Sequence, residues 1–412
     1  MERVVITGVG AVSALGLGAD TNFSQALSGQ SGIDLVQLPF SDDLACGVAA
    51  QIKYVLPDLI KKSEGALFDH FALFAWIAAN EALQQSGITH DIDNEVNSGV
   101  FWGTGMGGAQ TIEAGYVDLF IENKKRVRPL SVVASMNNAA AAQIALRVGF
   151  GGAVNTYSSA CISSALAIGE AFRHIRHGYA DRVLTGGSEA LLTQGVMSAW
   201  EALRVLAITD PEDPARSCKP FSRNRTGLVL GEGAAAIVLE SLSSAQARGA
   251  PILAELVGYG ASNDATHITK PDSAGQARAM RKALADAGLA ASDIDYINAH
   301  GAATLAGDQA EADSIKEVFG AYAKSLMISS TKALHGHTLG AAGALEFVLT
   351  IQALRSQAVP PTAFLEEPDP ECNLDFIPLH GRTNQKIRAA MSNSFAFGGS
   401  NVALIAKPFV YL

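Results

Sequence analysis

Cys161 stands in the run Tyr157-Ser-Ser-Ala-Cys161-Ile-Ser-Ser-Ala-Leu-Ala, and the residues around it are those a reactive thiol needs. Ala153 to Tyr157 reads as a short extended run. Ala165, Leu166, Ile168, Phe172 and Ile175 then recur at helical spacing until Gly178 stops them. The cysteine therefore falls near a helix N-terminus, where free backbone N–H groups and the helix dipole favour a thiolate and can hold a developing oxyanion. Cysteine is also a small core residue, but packing alone does not call for flanking serines and alanines. The other cysteines, Cys46, Cys218 and Cys372, lack such a setting. With four cysteines in all and no CxxC or Cys/His cluster, the sequence predicts neither a disulfide framework nor a metal site.

Partners for such a thiol lie in the second half of the chain. Asn298-Ala-His300-Gly, Thr331-Lys332 and Ser392-Asn-Ser-Phe395 each begin where a strand is predicted to end, and such loops converge on one crevice in α/β folds. A second histidine comes from Lys332-Ala-Leu-His335-Gly-His337-Thr-Leu-Gly-Ala-Ala-Gly; on the residues alone, His335 and His337 fit equally. Asp308-Gln-Ala-Glu311 reads either as part of the site or as a capping-box start for a helix over 310–318.

The elements that must position these groups follow from composition and periodicity. The chain has 412 residues, 48% hydrophobic and 17% charged, with 40 glycines and a net charge of -10, which describes a large globular protein with close helix-on-sheet packing. The acidic balance argues against nucleic acid as a partner. The N-terminus opens directly into a β-type run with no signal-like segment, and the longest uncharged stretch, Val148 to Gly169, is interrupted by Gly, Asn, Ser and Thr. A membrane span is therefore not expected, and a cytoplasmic location is. Short apolar runs at Val4–Thr7, Ser98–Trp102, Val154–Tyr157, Arg182–Thr185 and Ala234–Leu239 alternate with helical patterns. A second set follows at Ile252–Gly258, Ile294–Ala299, Leu326–Ser330, Ala389–Ser392 and Val402–Ala406. This is an α/β chain in two similar halves, 1–250 and 251–412. Val-Ile-Thr-Gly-Val-Gly-Ala-Val-Ser near the start is faintly echoed by Glu255-Leu-Val-Gly-Tyr-Gly-Ala-Ser262.

Ser-Ala-Cys161, Asn-Ala-His300-Gly, Thr-Lys332, Gly-His337-x-x-Gly-Ala-Ala-Gly and Asn-Ser-Phe395-Ala-Phe397-Gly-Gly-Ser-Asn401, in that order, resemble the β-ketoacyl-acyl-carrier-protein synthases of the elongating type I/II kind, closest to type II. The resemblance covers essentially the whole chain, including Gly-Thr-Gly-Met106-Gly-Gly and Gly231-Glu-Gly-Ala234. It implies a thiolase-like five-layer αβαβα fold and a Cys-His-His set at Cys161, His300 and His337, choosing His337 over His335. The implied reaction is a decarboxylative Claisen condensation of malonyl-carrier with an acyl group on Cys161, giving a 3-oxoacyl-carrier product. In that reading Lys332 keeps the site electropositive and binds Glu311, with Asp308 and Phe395 in support. The N–H groups of Cys161 and Phe397 form the oxyanion hole, Phe397 also gates the acyl pocket, and Met106 limits its depth. Thr304 meets the pantetheine arm, and Lys125, Arg126 and Arg204 dock the carrier. Asn298, Glu346, Ser392 and Asn393 match positions that surround a structural monovalent cation in some members.

The same resemblance implies an acyl carrier protein as partner, no cofactor beyond the carrier's phosphopantetheine, and a homodimer or a heterodimer with a ketosynthase-like subunit. Several positions depart from the family pattern: Ala302 where a threonine is usual, Ala396 where glycine is usual, Thr226 where an acidic residue is commoner, and Ala66, Leu67 and Phe68 where basic residues are usual. These leave fatty-acid elongation and a specialised polyketide or polyene pathway both open, beside a partner-dependent subunit. A thiolase would need a second catalytic cysteine, and Cys372 in Pro-Glu-Cys-Asn lacks the setting.

Overall fold

A computed structural model describes residues 1–88 and 97–410. Ten strands form its body: β1 (Val4–Ser13), β2 (Ser98–Gly103), β3 (Val154–Tyr157), β4 (Arg182–Glu189), β5 (Gly233–Ser241), β6 (Ala254–Asn263), β7 (Tyr296–Asn298), β8 (Met327–Ser329), β9 (Ala390–Phe395) and β10 (Ser400–Lys407). Each falls on an apolar run expected from the sequence. In space they run β8-β7-β9-β10-β6-β1-β5-β4-β2-β3. Counted within each half, both sets have the order third, second, fourth, fifth, first. The halves meet where β1 pairs antiparallel with β6.

Helices complete five layers. Helix α1 (His70–Ser86) covers the outer face of β1 and β5, and α3 (Ser273–Ala287) does the same for β6 and β10, with α4 (Leu305–Phe319) beside it. Between the sheets lie α2 (Ser163–Arg176) and α5 (Ala342–Ser356), packed on each other, α2 against β4 and β2, α5 against β9 and β5. Every residue from Ala342 to Leu354 is buried, as expected of a helix that is apolar all round. Among the described residues no helix is long and apolar enough to cross a membrane.

The echoed Gly-x-Gly pairs do the same work in both halves. A Cβ on Gly8 or Gly10 of β1 would lie 2.0 or 2.1 Å from the carbonyl oxygens of Ala82 and Ala78 in α1. On Gly258 or Gly260 of β6 it would lie 2.4 or 2.1 Å from those of Ala283 and Ala279 in α3. Strand and helix thus approach along one i, i−4 row in each half, a contact that admits no side chain.

Gly10→Ala and Gly260→Ala should each destabilise the fold by about 1–3 kcal/mol or more, read as a lower denaturant midpoint. Gly178→Ala, where no neighbour lies within 4 Å of the added carbon but φ is +77°, should cost less, about 1 kcal/mol.

Candidate active site

In each half the segment after the third strand enters its buried helix through the same kind of turn. After β3, Ala160 takes φ 48° and α2 begins three residues later at Ser163; after β8, Leu339 takes φ 41° and α5 begins three residues later at Ala342. A non-glycine residue in the left-handed region carries about 1–2 kcal/mol of strain, and at both turns it lets the chain fold sharply from loop into a buried helix. Cys161 follows the first of these residues. His337 precedes the second by two positions, and its backbone is fixed by His337 N–H to the Val229 carbonyl at 2.6 Å and by Gly231 N–H to the His337 carbonyl at 3.0 Å.

The two turns bring sulfur and imidazole together. His337 Nε2 lies 3.0 Å from Cys161 Sγ. Leu339 N–H donates to His337 Nδ1 at 3.3 Å, so Nε2 carries the proton and donates to the sulfur. The His300 ring stands edge-on to His337, centroids 5.3 Å apart, and 6.0 Å from Phe395. Lys332 Nζ lies 3.4 Å from His300 Nδ1 and donates to the His300 carbonyl oxygen at 2.6 Å. Since an ammonium only donates, Nδ1 of His300 is also the acceptor nitrogen and its Nε2–H faces the site. Burial and the Lys332 charge hold both imidazoles well below the usual histidine range. They are neutral N–H donors.

Burial also pushes the Cys161 thiol up to about 12, opposed by the Lys332 charge and by the backbone N–H of Phe397 directed at the sulfur. The helix N-terminus was expected to favour the thiolate. Desolvation acts in the opposite direction, since Cys161 is 6% exposed and precedes the first helical residue by two positions.

Two other expectations are corrected. Lys332 pairs with Glu346 of α5, not with Glu311. Glu311 is already engaged, accepting the N–H groups of His300 at 2.9 Å and Gly301 at 2.7 Å and the Asn393 amide at 3.3 Å. Asp308 is not an N-cap: α4 begins at Leu305 and is capped by Thr304, whose Oγ1 accepts from Gly307 N–H at 3.2 Å. Asp308 is instead buried, accepting Phe221 N–H at 2.7 Å near the Arg225 guanidinium, with its pKa pushed up to about 7 by burial.

A cavity of about 300 Å³ opens onto Cys161, His300 and His337 and is lined also by Thr304, Arg204, Phe395 and Phe397. Lys332, Asp308 and Glu311 stand behind its wall. Met106 is 39% exposed and does not line it, nor do Lys125 and Arg126, which lie in an exposed segment. His335 is buried, with Nε2 3.0 Å from Thr331 Oγ1 and its pKa lowered to about 3 by burial. Ala396 fits its place because the positive φ values of that turn fall on Gly398 and Gly399, 85° and 73°. Asn298 Oδ1, Glu346 Oε2, Ser392 Oγ and Asn393 Oδ1 are all buried without a hydrogen-bond partner, and Asn298 faces Ser392 across β7 and β9.

Sequence reasoning missed Trp200, which stacks on Phe397 at 6.0 Å and 20°, and Glu189, the buried last residue of β4. Trp200, one of only three tryptophans, was a usable signal. Glu189 had none, since its partners lie 83 to 151 residues away.

Residues 1–245 match the family profile described as beta-ketoacyl synthase, N-terminal domain, and 253–366 the corresponding C-terminal domain. Nodulation protein E of Rhizobium meliloti (strain 1021) is 44% identical over 98% of this chain and 99% of its own length. The 3-oxoacyl-[acyl-carrier-protein] synthase 2 of Staphylococcus aureus (strain COL) is 39% identical over 99% of each. Among solved structures, a beta-ketoacyl synthase from Burkholderia phymatum STM815 superposes with a TM-score of 0.92 at 36% identity over the full length of both chains. A ketosynthase in complex with its type II polyketide acyl-carrier protein gives 0.91 at 32% identity over 99% of this chain and 100% of that one.

Because burial raises the thiol, alkylation of Cys161 by iodoacetamide, followed by mass, should keep accelerating through pH 10, where an unperturbed cysteine has levelled off above its pKa of about 8.5. Lys332→Met removes a charge that lowers the thiol pKa, so it should slow alkylation by about tenfold per pKa unit. Levelling of the wild-type rate near pH 8.5 would contradict the burial argument.

Proposed function

The chain belongs to the β-ketoacyl synthase family, and on that premise we propose that Cys161, His300 and His337 carry out its condensing reaction as nucleophile and paired hydrogen-bond donors. The protein is an acyltransferase that makes 3-oxoacyl-carrier thioesters. The observation that carries the residue roles is the shared orientation of the two imidazoles. Leu339 N–H on one Nδ1 and Lys332 on the other leave both Nε2–H groups for the cavity that contains the sulfur.

In the first half-reaction the Cys161 sulfur attacks the carbonyl of an acyl thioester. Negative charge on the carbonyl oxygen is taken by the backbone N–H groups of Cys161 and Phe397. The carrier thiolate leaves with a proton, and the acyl group stays on sulfur. In the second, the malonyl thioester loses CO₂, and the electrons of that C–C bond form an enolate whose oxygen accepts the Nε2–H of His300 and His337. The enolate carbon attacks the acyl-Cys161 carbonyl, the same oxyanion hole holds the tetrahedral oxygen, and collapse releases Cys161 and a product two carbons longer. Lys332 touches His300 and acts through it. Thr304 lies on the cavity wall where the pantetheine arm would pass, and Met106 is assigned to the acyl pocket. No cofactor beyond that arm enters this chemistry, which we place in the cytoplasm.

Arg204 at the cavity mouth, with Lys125 and Arg126, would attract an acidic acyl carrier protein. A second copy of the chain is the proposed partner at β3, an outer edge of the sheet with Val154 exposed. Exposed Tyr116, Phe120, Ile121 and Val132 precede Asn137, whose amide bonds Ser158 at the end of that strand at 3.3 Å. The partnerless oxygens of Asn298, Glu346 and Ser392 fit a hard monovalent cation, whereas Asn393, the next residue of β9, turns its amide to the opposite face, toward Glu311 and Met280. Such a site would brace β7, β9 and α5.

The purified protein, given malonyl-carrier and short, long and aryl acyl-carriers, should form acyl-Cys161 and a carrier product two carbons longer, both absent in Cys161→Ala. Absence of both with every primer would overturn the reading in favour of a partner-dependent subunit. His300→Ala and His337→Ala should still acylate Cys161 while condensation falls by about 100-fold or more. The melting temperature should rise in K⁺ or Na⁺ over a bulky organic cation at equal ionic strength, and that difference should vanish in Ser392→Ala; equal melting in all three salts removes the cation.

A further inference from the structure

Glu189 is the last residue of β4, wholly buried, and no step of the reaction uses it. Both its oxygens are filled with donors. Oε2 accepts Gly105 N–H at 2.7 Å and Gly340 N–H at 2.9 Å; Oε1 accepts Met106 N–H at 3.0 Å and the Thr104 hydroxyl at 3.1 Å. The donors come from two loops in different halves of the chain, the one after β2 and the turn before α5. The close approach is built into the backbone: a Cβ on Gly340 would lie 2.3 Å from Gly105 N and 2.6 Å from Glu189 Oε2. Burial raises the carboxyl, and with the amide and hydroxyl donors opposing it the pKa stands at about 7. Three fixed N–H groups and a hydroxyl aimed at the two oxygens suit the ionised form, which can accept from all four.

Gly340 is the residue after Leu339, and the Leu339 N–H is what fixes the tautomer of His337. We propose that Glu189 is a positioning residue for the Cys161–His337 pair: by clamping Gly340 against Gly105 and Met106, it holds the turn that aims the His337 Nε2–H at the sulfur and ties that turn to the Met106 loop. The inference rests on the reading of Cys161 and His337 as the reacting pair, and it assigns no contact with substrate to Glu189 itself.

Glu189→Gln separates positioning from charge because the two act in opposite directions. Glu189 raises the Cys161 pKa through its negative charge, so a carboxylate acting only as a nearby charge would, on becoming neutral, make Cys161 more reactive. Gln also replaces one acceptor oxygen with an NH₂ group that must face N–H donors already in place. The clamp then opens and the His337 donor is lost from the sulfur.

The test is the pH profile of Cys161 alkylation by iodoacetamide, measured on the full chain beside a thermal melt. Glu189→Gln is expected to alkylate about tenfold or more slowly at pH 8, with the profile displaced to higher pH. Thr104→Val, which removes one donor and leaves the carboxylate, should shift the profile the same way by a smaller factor, and it carries the test should Glu189→Gln fail to fold. Unchanged or faster alkylation in the folded variant overturns the proposal, whatever happens to the melting temperature. Alkylation needs neither carrier nor malonyl thioester. A wild-type protein that fails to condense would therefore sink the proposed function, while an unaltered alkylation profile would sink the role of Glu189.

Discussion

The site depends on one buried ammonium. Lys332 is wholly buried, and moving such an ion out of water costs several kcal/mol unless its donors are matched. Its partners are the Glu346 carboxylate, the His300 carbonyl oxygen and His300 Nδ1, as many acceptors as an ammonium has protons. Two consequences follow. His300 cannot take a proton on the nitrogen that faces Lys332, and both histidines are kept neutral by burial together with a cation already in place. The same charge lowers the Cys161 pKa against burial. A histidine in place of Lys332 would lose its charge on burial.

The two halves explain how that ammonium and the nucleophile come to share a cavity. Each half contributes the segment after its third strand, each bends at a non-glycine residue with positive φ, and each leads into one of the two helices of the middle layer. Cys161 and the Lys332–His337 segment are thus positional counterparts brought face to face by the packing of α2 on α5. His300 and Phe397 come from the loops after the second and fourth strands of the C-terminal half. The rigidity needed to keep a 3.0 Å Nε2–Sγ contact comes from strand ends and buried helices rather than from the loops.

What could be read from the sequence follows how local each signal is. All ten strands were marked by apolar runs, and the Gly-x-Gly echo at Gly8 and Gly258 marked a real equivalence, because strand composition and close packing are short-range requirements. Cys161, His300 and His337 were reachable from strand-end loops and motif spacing. Pairings across the chain were not. Lys332 was assigned to Glu311 and is held by Glu346, fourteen residues on, since nothing in the sequence says that Glu311 is occupied by the His300 and Gly301 amides. The capping alternative for Asp308 fails for a related reason: the helix begins earlier, at Leu305, so the apparent cap falls inside its first turn. The helix end was expected to favour the Cys161 thiolate, whereas burial, a property of the whole fold that the local sequence does not show, raises the thiol.

The polar lining of the cavity discriminates between two kinds of Claisen chemistry. Condensation that begins by removing an α-proton needs a base beside the substrate, as a second cysteine provides in a thiolase. Among the residues lining this cavity the one carboxylate is Asp264, whose oxygens accept the Asn401 amide at 2.7 Å and Asp272 N–H at 3.0 Å. Cys372 lies outside the cavity, its sulfur 4.0 Å from Gln309 Oε1. Of the three histidines lining the cavity, His300 and His337 present protonated nitrogens, and His267 Nδ1 already accepts the N–H groups of Thr269 and Lys270 at 3.1 Å. A site with neutral donors and no free base cannot generate a carbanion by deprotonation, but it can accept one generated by loss of CO₂, where no proton has to be removed. The scarcity of bases is therefore part of the selectivity: an acyl thioester without a carboxylate to lose can load Cys161, and only a malonyl thioester can then supply the enolate.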